Sequence, residues 1–333
     1  MLAARLNVVE HRLEVVEVPT PEPGPGQVRI AVKAAGVCLS DVRLVQGLLT
    51  PMYLDGDVVT LGHEVAGVID GLGPGVTGWA EGQRVTLQAG ELAAAQVLTR
   101  GVDYDGGWAE YALANVATLV RIPDSLSFEQ AAIIPDAVST PWGAITGTGG
   151  VRPGEAAGVW GIGGLGAHAV QVLRMIGAAP IIAVDPIPAA RERALAYGAD
   201  LAVDAGDLDL PERVRSATGG RGLAAAFDFV GLEAVRSQAI QCLGLGGRLV
   251  LVGLGPEPMT VANPTLISFM GQQIRGHYGS GPDDLAVLVG LVGHGRLDFA
   301  KSISDVLPLS RAAEAVDRLE HKIGNPVRLV LTP

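Results

Sequence analysis

The chain has 333 residues, 48% of them hydrophobic, enough to bury two cores by the usual scaling of domain size. Its formal net charge of −11 opposes binding to phosphate backbones, which calls for clustered Lys and Arg, so no nucleic-acid partner is expected. Two cysteines, Cys38 and Cys242, make no disulfide framework, and the opening Met1-Leu2-Ala3-Ala4-Arg5 lacks an apolar signal core, which together predict a cytoplasmic protein.

In chain order, roughly the first 120 residues read as short β segments. Residues 28–32 alternate apolar and polar, 65–69 follow His63, and 83–87 follow Gly82. Pro19, Pro21, Pro23 and Pro25 punctuate the early loop, since each fixes φ and removes an amide donor. This part is expected to be an irregular, mostly antiparallel domain. From about residue 124 strands alternate with helices, the pattern of a parallel sheet covered by crossover helices. Six strands are predicted, at 158–160, 181–184, 201–203, 226–229, 248–252 and 273–275, which fits a doubly wound domain. Beyond residue 279 a helix at 311–322 and a strand at 327–331 are expected to return to the first domain. Residues 156–173 carry no Asp, Glu, Lys or Arg, the length of a membrane span, but five glycines within them favour a strand, turn and helix. No membrane association is expected.

The turn Gly161-Ile162-Gly163-Gly164-Leu165-Gly166 has the context that gives such glycines meaning: an apolar strand before it, a helix at 165–176 after it, and Asp185 ending the next strand. The offset from Gly166 to Asp185 is 185 − 166 = 19, close to the ~20 residues that separate pyrophosphate turn and ribose acid in a dinucleotide fold. Gly161 permits the tight turn, Gly163 lets backbone approach the pyrophosphate, and Gly166 lets helix meet strand. Asp185 can accept from the ribose hydroxyls and repel a 2′-phosphate, and Pro186 and Ile187 add no base after it, so NAD is favoured over NADP. The competing reading is a structural turn with Asp185 as a helix cap.

Three further segments carry metal-ligand chemistry: Cys38 with Ser40 and Asp41, Gly62-His63-Glu64, and Ile134-Pro135-Asp136. Catalytic zinc takes three protein ligands and keeps a position open. Taken singly, a cysteine is usually a small core hydrophobe, a histidine a hydrogen-bonded residue and an aspartate after proline a turn or cap.

Together with Asp105-Gly106-Gly107-Trp108-Ala109-Glu110-Tyr111 and Gly246-Gly247-Arg248, these segments resemble the medium-chain zinc-dependent alcohol dehydrogenases over nearly the whole chain. The resemblance implies an α/β protein with a mostly β GroES-like catalytic domain, residues 1–137 and 279–333, and an inserted NAD-binding Rossmann domain, residues 138–278. It implies zinc held by Cys38, His63 and Asp136, the aspartate standing where a cysteine is found in many relatives, as in the bacterial secondary-alcohol branch. Glu64 would be a carboxylate able to ligate the metal transiently or a structural acid. Ser40 would be the inner proton relay, and Val42-Arg43 stand where many relatives carry an outer relay histidine. Arg328 matches an arginine that contacts the cofactor pyrophosphate, or is a solvated strand residue; Leu165 and Gly164 complete the cofactor turn. No cysteine lies between Leu87 and Asp105, so one catalytic zinc per chain and no structural zinc are expected, with NAD as cofactor and a homodimer or homotetramer as assembly. The implied reaction is hydride exchange between a small-molecule alcohol, or its ketone or aldehyde, and NAD. The competing readings are a zinc-free quinone or enone reductase and a noncatalytic dinucleotide-binding sensor. Asp41 is expected to bond near the metal, Cys242 to lie in a core, and Tyr53, Trp108, Trp142, His277 and Tyr278 to line a pocket or simply pack.

Overall fold

Alternation explains the strand around which the first unit is built. In Gln27–Val37, Val28, Ile30 and Val32 are buried while Lys33 faces out, and from Ala34 to Val37 small or apolar residues are buried on both faces. Burying one such Val or Ile is worth about 1.5–3 kcal/mol. The computed structural model describes residues 1–93 and 96–333, which fall into two units, Met1–Ala137 with Leu285–Pro333, and Val138–Asp284.

In the first unit the path of the larger sheet runs Leu119–Arg121, Arg84–Leu87, Val65–Leu72, Gln27–Val37, Arg328–Thr332, Ile303–Pro308, and Tyr111–Asn115 also pairs with Gln27–Val37. A smaller sheet orders Arg12–Glu17, Leu2–Asn7 and Val58–Thr60. Register places the chemistry. Ala35 opposes Val65 and Val37 opposes Leu329, so the end of one strand lies between the starts of two others. The helix Phe128–Ile133 is tied to this sheet by the buried Thr86 hydroxyl, which reaches the carbonyls of Val65 at 2.9 Å and Ala131 at 3.0 Å. It continues into a π-helical turn, Ile134–Val138. Between Leu87 and Asp105 the chain makes a two-stranded ribbon of Gly90–Ala93 and Gln96–Thr99.

The second unit is a six-stranded parallel sheet in the order Leu201–Val203, Ile181–Val184, Ala157–Trp160, Leu223–Asp228, Leu243–Leu251, Gln273–Gly276. Ala157–Trp160 and Ile181–Val184 are buried along their whole length, as a sheet covered on both faces requires. Strand order reverses beside Ala157–Trp160, which opens a crevice outside the carboxyl ends of the strands. Among the described residues, no helix is long and apolar enough to cross a membrane.

Candidate metal and dinucleotide sites

Cys38 follows the last residue of Gln27–Val37 and caps the helix Leu39–Val45. Its amide donates to Asp41 Oδ2 at 2.8 Å, which fixes the turn that presents the thiol. His63 and Glu64 precede the neighbouring strand, where Gly36 N donates to Glu64 O at 2.8 Å. Asp136 projects from the π-helical turn, an irregularity that often marks functional positions. All four side chains belong to the first unit.

They converge. Cys38 Sγ lies 3.2 Å from Asp136 Oδ2, and His63 Nε2 lies 3.5 Å from the same oxygen. One ligand atom from each of Cys38, His63, Glu64 and Asp136 falls within 4.8 Å of the others. Ser40 Oγ stands 3.5 Å from Cys38 Sγ. Cys38, His63 and Glu64 are buried, whereas the Asp136 side chain keeps 18% of its surface exposed. Sulfur, imidazole nitrogen and carboxylate oxygen are the donor types zinc selects.

A buried carboxylate oxygen of the cluster, Glu64 Oε2, has no hydrogen-bond partner, as a site that takes a cation would leave it. His63 Nδ1 faces Asp41 Oδ1 at 3.5 Å, the arrangement in which a carboxylate holds one ring nitrogen so that the other can ligate. Burial alone would pull the His63 imidazole down, but Asp41, Asp136 and Cys38 hold it well above its ordinary value. The same groups that hold a proton there would hold a metal cation. Arg328, buried in the sheet, donates to Glu64 Oε1, as does the amide of Ala137 at 3.1 Å. Burial pushes the Glu64 carboxyl up, Arg328 pulls it back, and Asp136 adds to the push. For Arg328, burial lowers and Glu64 more than restores the guanidinium, leaving its pKa raised. Because a guanidinium keeps its proton, the ion pair is the state this geometry supports. Arg328 is therefore no solvated strand residue.

In the second unit the glycine turn stands at the start of the helix Gly166–Ile176. A Cβ on Gly166 would lie 1.8 Å from Gly161 O, so only glycine lets helix meet turn. On Gly163 a Cβ would meet nothing within 4 Å, leaving open space before the positive end of the helix. Asp185 Oδ2 accepts from Ile162 N at 2.7 Å and Oδ1 from Ile187 N at 2.8 Å, which ties the acid to the turn. The residues fit a dinucleotide. Sequence reading missed two arginines on the next helix, Pro188–Ala196. Arg191 donates to the carbonyls of Asp185 and Pro186 at 2.7 and 2.9 Å and pairs with Asp204, and Arg193 donates to Ile162 O at 2.5 Å. Both engage carbonyl oxygens, and Arg193 also interacts electrostatically with Asp185.

A cavity of about 470 Å³ lies at the carboxyl ends of Leu243–Leu251 and Gln273–Gly276, bordered by Arg236, Leu254, His277 and Tyr278. His277 Nε2 lies 2.8 Å from Gly279 O and 3.0 Å from Thr140 O, and Nδ1 lies 2.8 Å from Thr148 Oγ1. Carbonyls only accept, so Nε2 carries the proton and Nδ1 accepts from the hydroxyl. Burial lowers the His277 pKa in spite of these carbonyls and Asp284. Trp142 Nε1 donates to Asp284 Oδ1 at 3.1 Å, Tyr53 is half exposed and Trp108 is fully buried. Cys242 is buried at the end of the helix Glu233–Gln241, and burial pushes its thiol up to about 12.

Residues 24–124 match the alcohol dehydrogenase GroES-like domain family, and residues 164–293 match the zinc-binding dehydrogenase family. An alcohol dehydrogenase of Geobacillus stearothermophilus is 33% identical over 96% of each chain. An NAD-dependent alcohol dehydrogenase of Sulfurisphaera tokodaii is 30% identical over 96% of this chain and 97% of its own. The crystal structure of an NAD-dependent alcohol dehydrogenase superposes with a TM-score of 0.91 at 30% identity, covering 100% of both chains.

Proposed function

The chain belongs to the zinc-dependent medium-chain alcohol dehydrogenases, and from that membership we propose that Cys38, His63 and Asp136 hold one zinc ion beside which a secondary alcohol and NAD exchange hydride. The protein is an NAD-dependent alcohol oxidoreductase; the ligand set, the single ion and the secondary substrate are the proposal. One observation carries it: the convergence of Cys38 Sγ and His63 Nε2 on Asp136 Oδ2, at 3.2 and 3.5 Å. When bound, zinc supplies a Lewis acid that lowers the pKa of an alcohol hydroxyl or polarises a carbonyl.

The chain's own residues do the rest. Asp41 orients His63 and fixes the amide of Cys38. Ser40, half-buried beside the thiol, takes the hydroxyl proton outward, and Arg43 stands where relatives carry the next relay group. Glu64, with one oxygen engaged by Arg328 and the other unpartnered, is a reserve ligand. Gly161, Gly163, Gly164, Leu165 and Gly166 cradle the NAD pyrophosphate, and Asp185 takes the ribose hydroxyls and disfavours NADP. With two cysteines in the whole chain, a four-cysteine structural zinc lobe has no ligands, which supports one zinc per chain. The convergent donors disfavour a zinc-free quinone or enone reductase.

The strand Gln273–Gly276 is a sheet edge, and pairing with a second copy there would give the homodimer or homotetramer, measurable as solution mass. Two free, buried cysteines suit a cytoplasmic setting. The deciding experiment is a panel of primary and secondary alcohols with NAD and NADP, run beside zinc quantification. One zinc per chain with secondary-alcohol turnover on NAD supports the reading, and full turnover in metal-free protein overturns it. Ser40→Ala should keep zinc and NAD but lose turnover; a wild-type rate would remove Ser40 from the proton path.

A further inference from the structure

The segment Asp105-Gly106-Gly107-Trp108 takes no part in the chemistry above, yet it is fastened to the metal-ligand backbone at every residue. Asp105 Oδ1 accepts from Thr60 N at 2.7 Å, Gly106 N donates to Thr60 O at 2.7 Å, Gly107 N to Gly62 O at 2.8 Å, and Trp108 N to Leu61 O at 2.9 Å. These bonds run along the three residues that lead into His63. The Trp108 side chain, fully buried, then turns to the other ligand strand, and its indole N–H donates to Gly36 O at 3.0 Å, two residues before Cys38.

The same ring presses on the residue before His63. Gly62 has φ +97°, and a Cβ there would lie 2.2 Å from Trp108 Cδ1 and 2.8 Å from Nε1. Gly62 thus has neither the room nor the backbone conformation for a side chain, because the indole fills that space. One rigid ring therefore touches the backbone carrying the sulfur and the backbone carrying the imidazole. The two strands also meet through their ladder and the bond from Gly36 N to Glu64 O; an indole clamped between them adds a rigid spacer.

We propose that Trp108 is a positioning residue for the metal centre, a gauge that sets the separation of Cys38 from His63. This rests on the zinc site proposed above. The test uses the full-length protein loaded with Co²⁺ in place of zinc, reading Co²⁺ affinity by chelator competition and the thiolate-to-cobalt and d–d absorption bands. Trp108→Phe keeps ring bulk and removes the N–H. Replacing Trp108 by benzothienylalanine keeps the bicyclic shape and removes only the donor, so it decides the matter if the phenylalanine variant does not fold. The control is Trp160→Phe in the second unit, which deletes a comparable buried indole bond, to Gln238 Oε1 at 2.8 Å.

Loss of the donor at Trp108 should weaken Co²⁺ binding by about 10-fold or more, the range for groups that orient ligands, and shift the bands. Trp160→Phe should leave both unchanged whatever it does to melting. Wild-type affinity and spectrum in the Trp108 variants, or equal losses in the Trp160 control, would overturn the gauge while leaving the ligand set intact. A wild-type protein that binds no Co²⁺ through a thiolate would sink the zinc site itself, and the gauge with it.

Discussion

A single imidazole needs two partners to serve a metal, one to take its outer nitrogen and one to leave its inner nitrogen bare. His63 has both, with Asp41 at 3.5 Å from Nδ1 and the cluster at Nε2. Asp41→Asn keeps the shape and deletes the charge. It should lower zinc affinity by about 10–100-fold in chelator competition without unfolding the protein. His277 makes a different prediction. Its pKa is lowered in the folded protein, so as pH falls below about 6.5 the unfolded chain takes a proton that the folded one refuses, and stability drops. Above that value both states are neutral and nothing is lost. His277→Gln should flatten the fall of Tm between neutral and mildly acidic pH, and an unchanged slope would count against the assignment. At this scale Cys38, Ser40, His63 and Asp136 were named through their resemblance to a family pattern, since each of the ligand residues alone reads equally as a core thiol, a bonded imidazole or a turn acid. The sequence left Arg328 open between a cofactor contact and a solvated strand residue, because a partner 264 residues away leaves no local trace.

Two glycines of one turn do opposite work. Gly166 lies where a Cβ would strike Gly161 O at 1.8 Å, so Gly166→Ala should lower stability, seen as a fall in Tm. Gly163 faces open space, so Gly163→Val should leave Tm near wild type while raising the NAD dissociation constant by 10-fold or more, about 1.4 kcal/mol. If both variants fail alike in NAD binding and Tm, the turn is structural only. The parallel strands were legible because buried runs of Val, Ile and Ala are punctuated by Gly and Asp. The π-helical turn at Asp136 was not, since nothing in Ile134-Pro135-Asp136-Ala137-Val138 distinguishes one extra residue per turn from an ordinary helix. The glycine-rich spacing at Gly106 and Gly107 was readable as a motif but not as a clamp, because close approach of two backbones is a tertiary fact.

The candidate metal donors lie in Met1–Ala137 and the glycine turn proposed for the dinucleotide lies in Val138–Asp284. Ligands that bind only the native state stabilise what they touch, by about 2.7 kcal/mol at a 100-fold excess over the dissociation constant. Chelation should therefore raise amide exchange in Val65–Leu72 and the end of Gln27–Val37, whereas NAD should slow it in Ala157–Trp160 and Gly166–Ile176. Exchange that rises evenly through both units on chelation would contradict this division.

Arg328 also sets a timetable. Glu64 leaves the ribosome first, and its guanidinium partner, with the strand that carries it, follows 264 residues later. Until then a carboxylate destined for burial has no counter-charge, and removing one partner from such a pair costs about 3–5 kcal/mol. Nascent chains arrested before residue 328 should thus leave the pocket open to solvent and unable to retain metal, so that loading waits until Arg328 has been made and paired with Glu64.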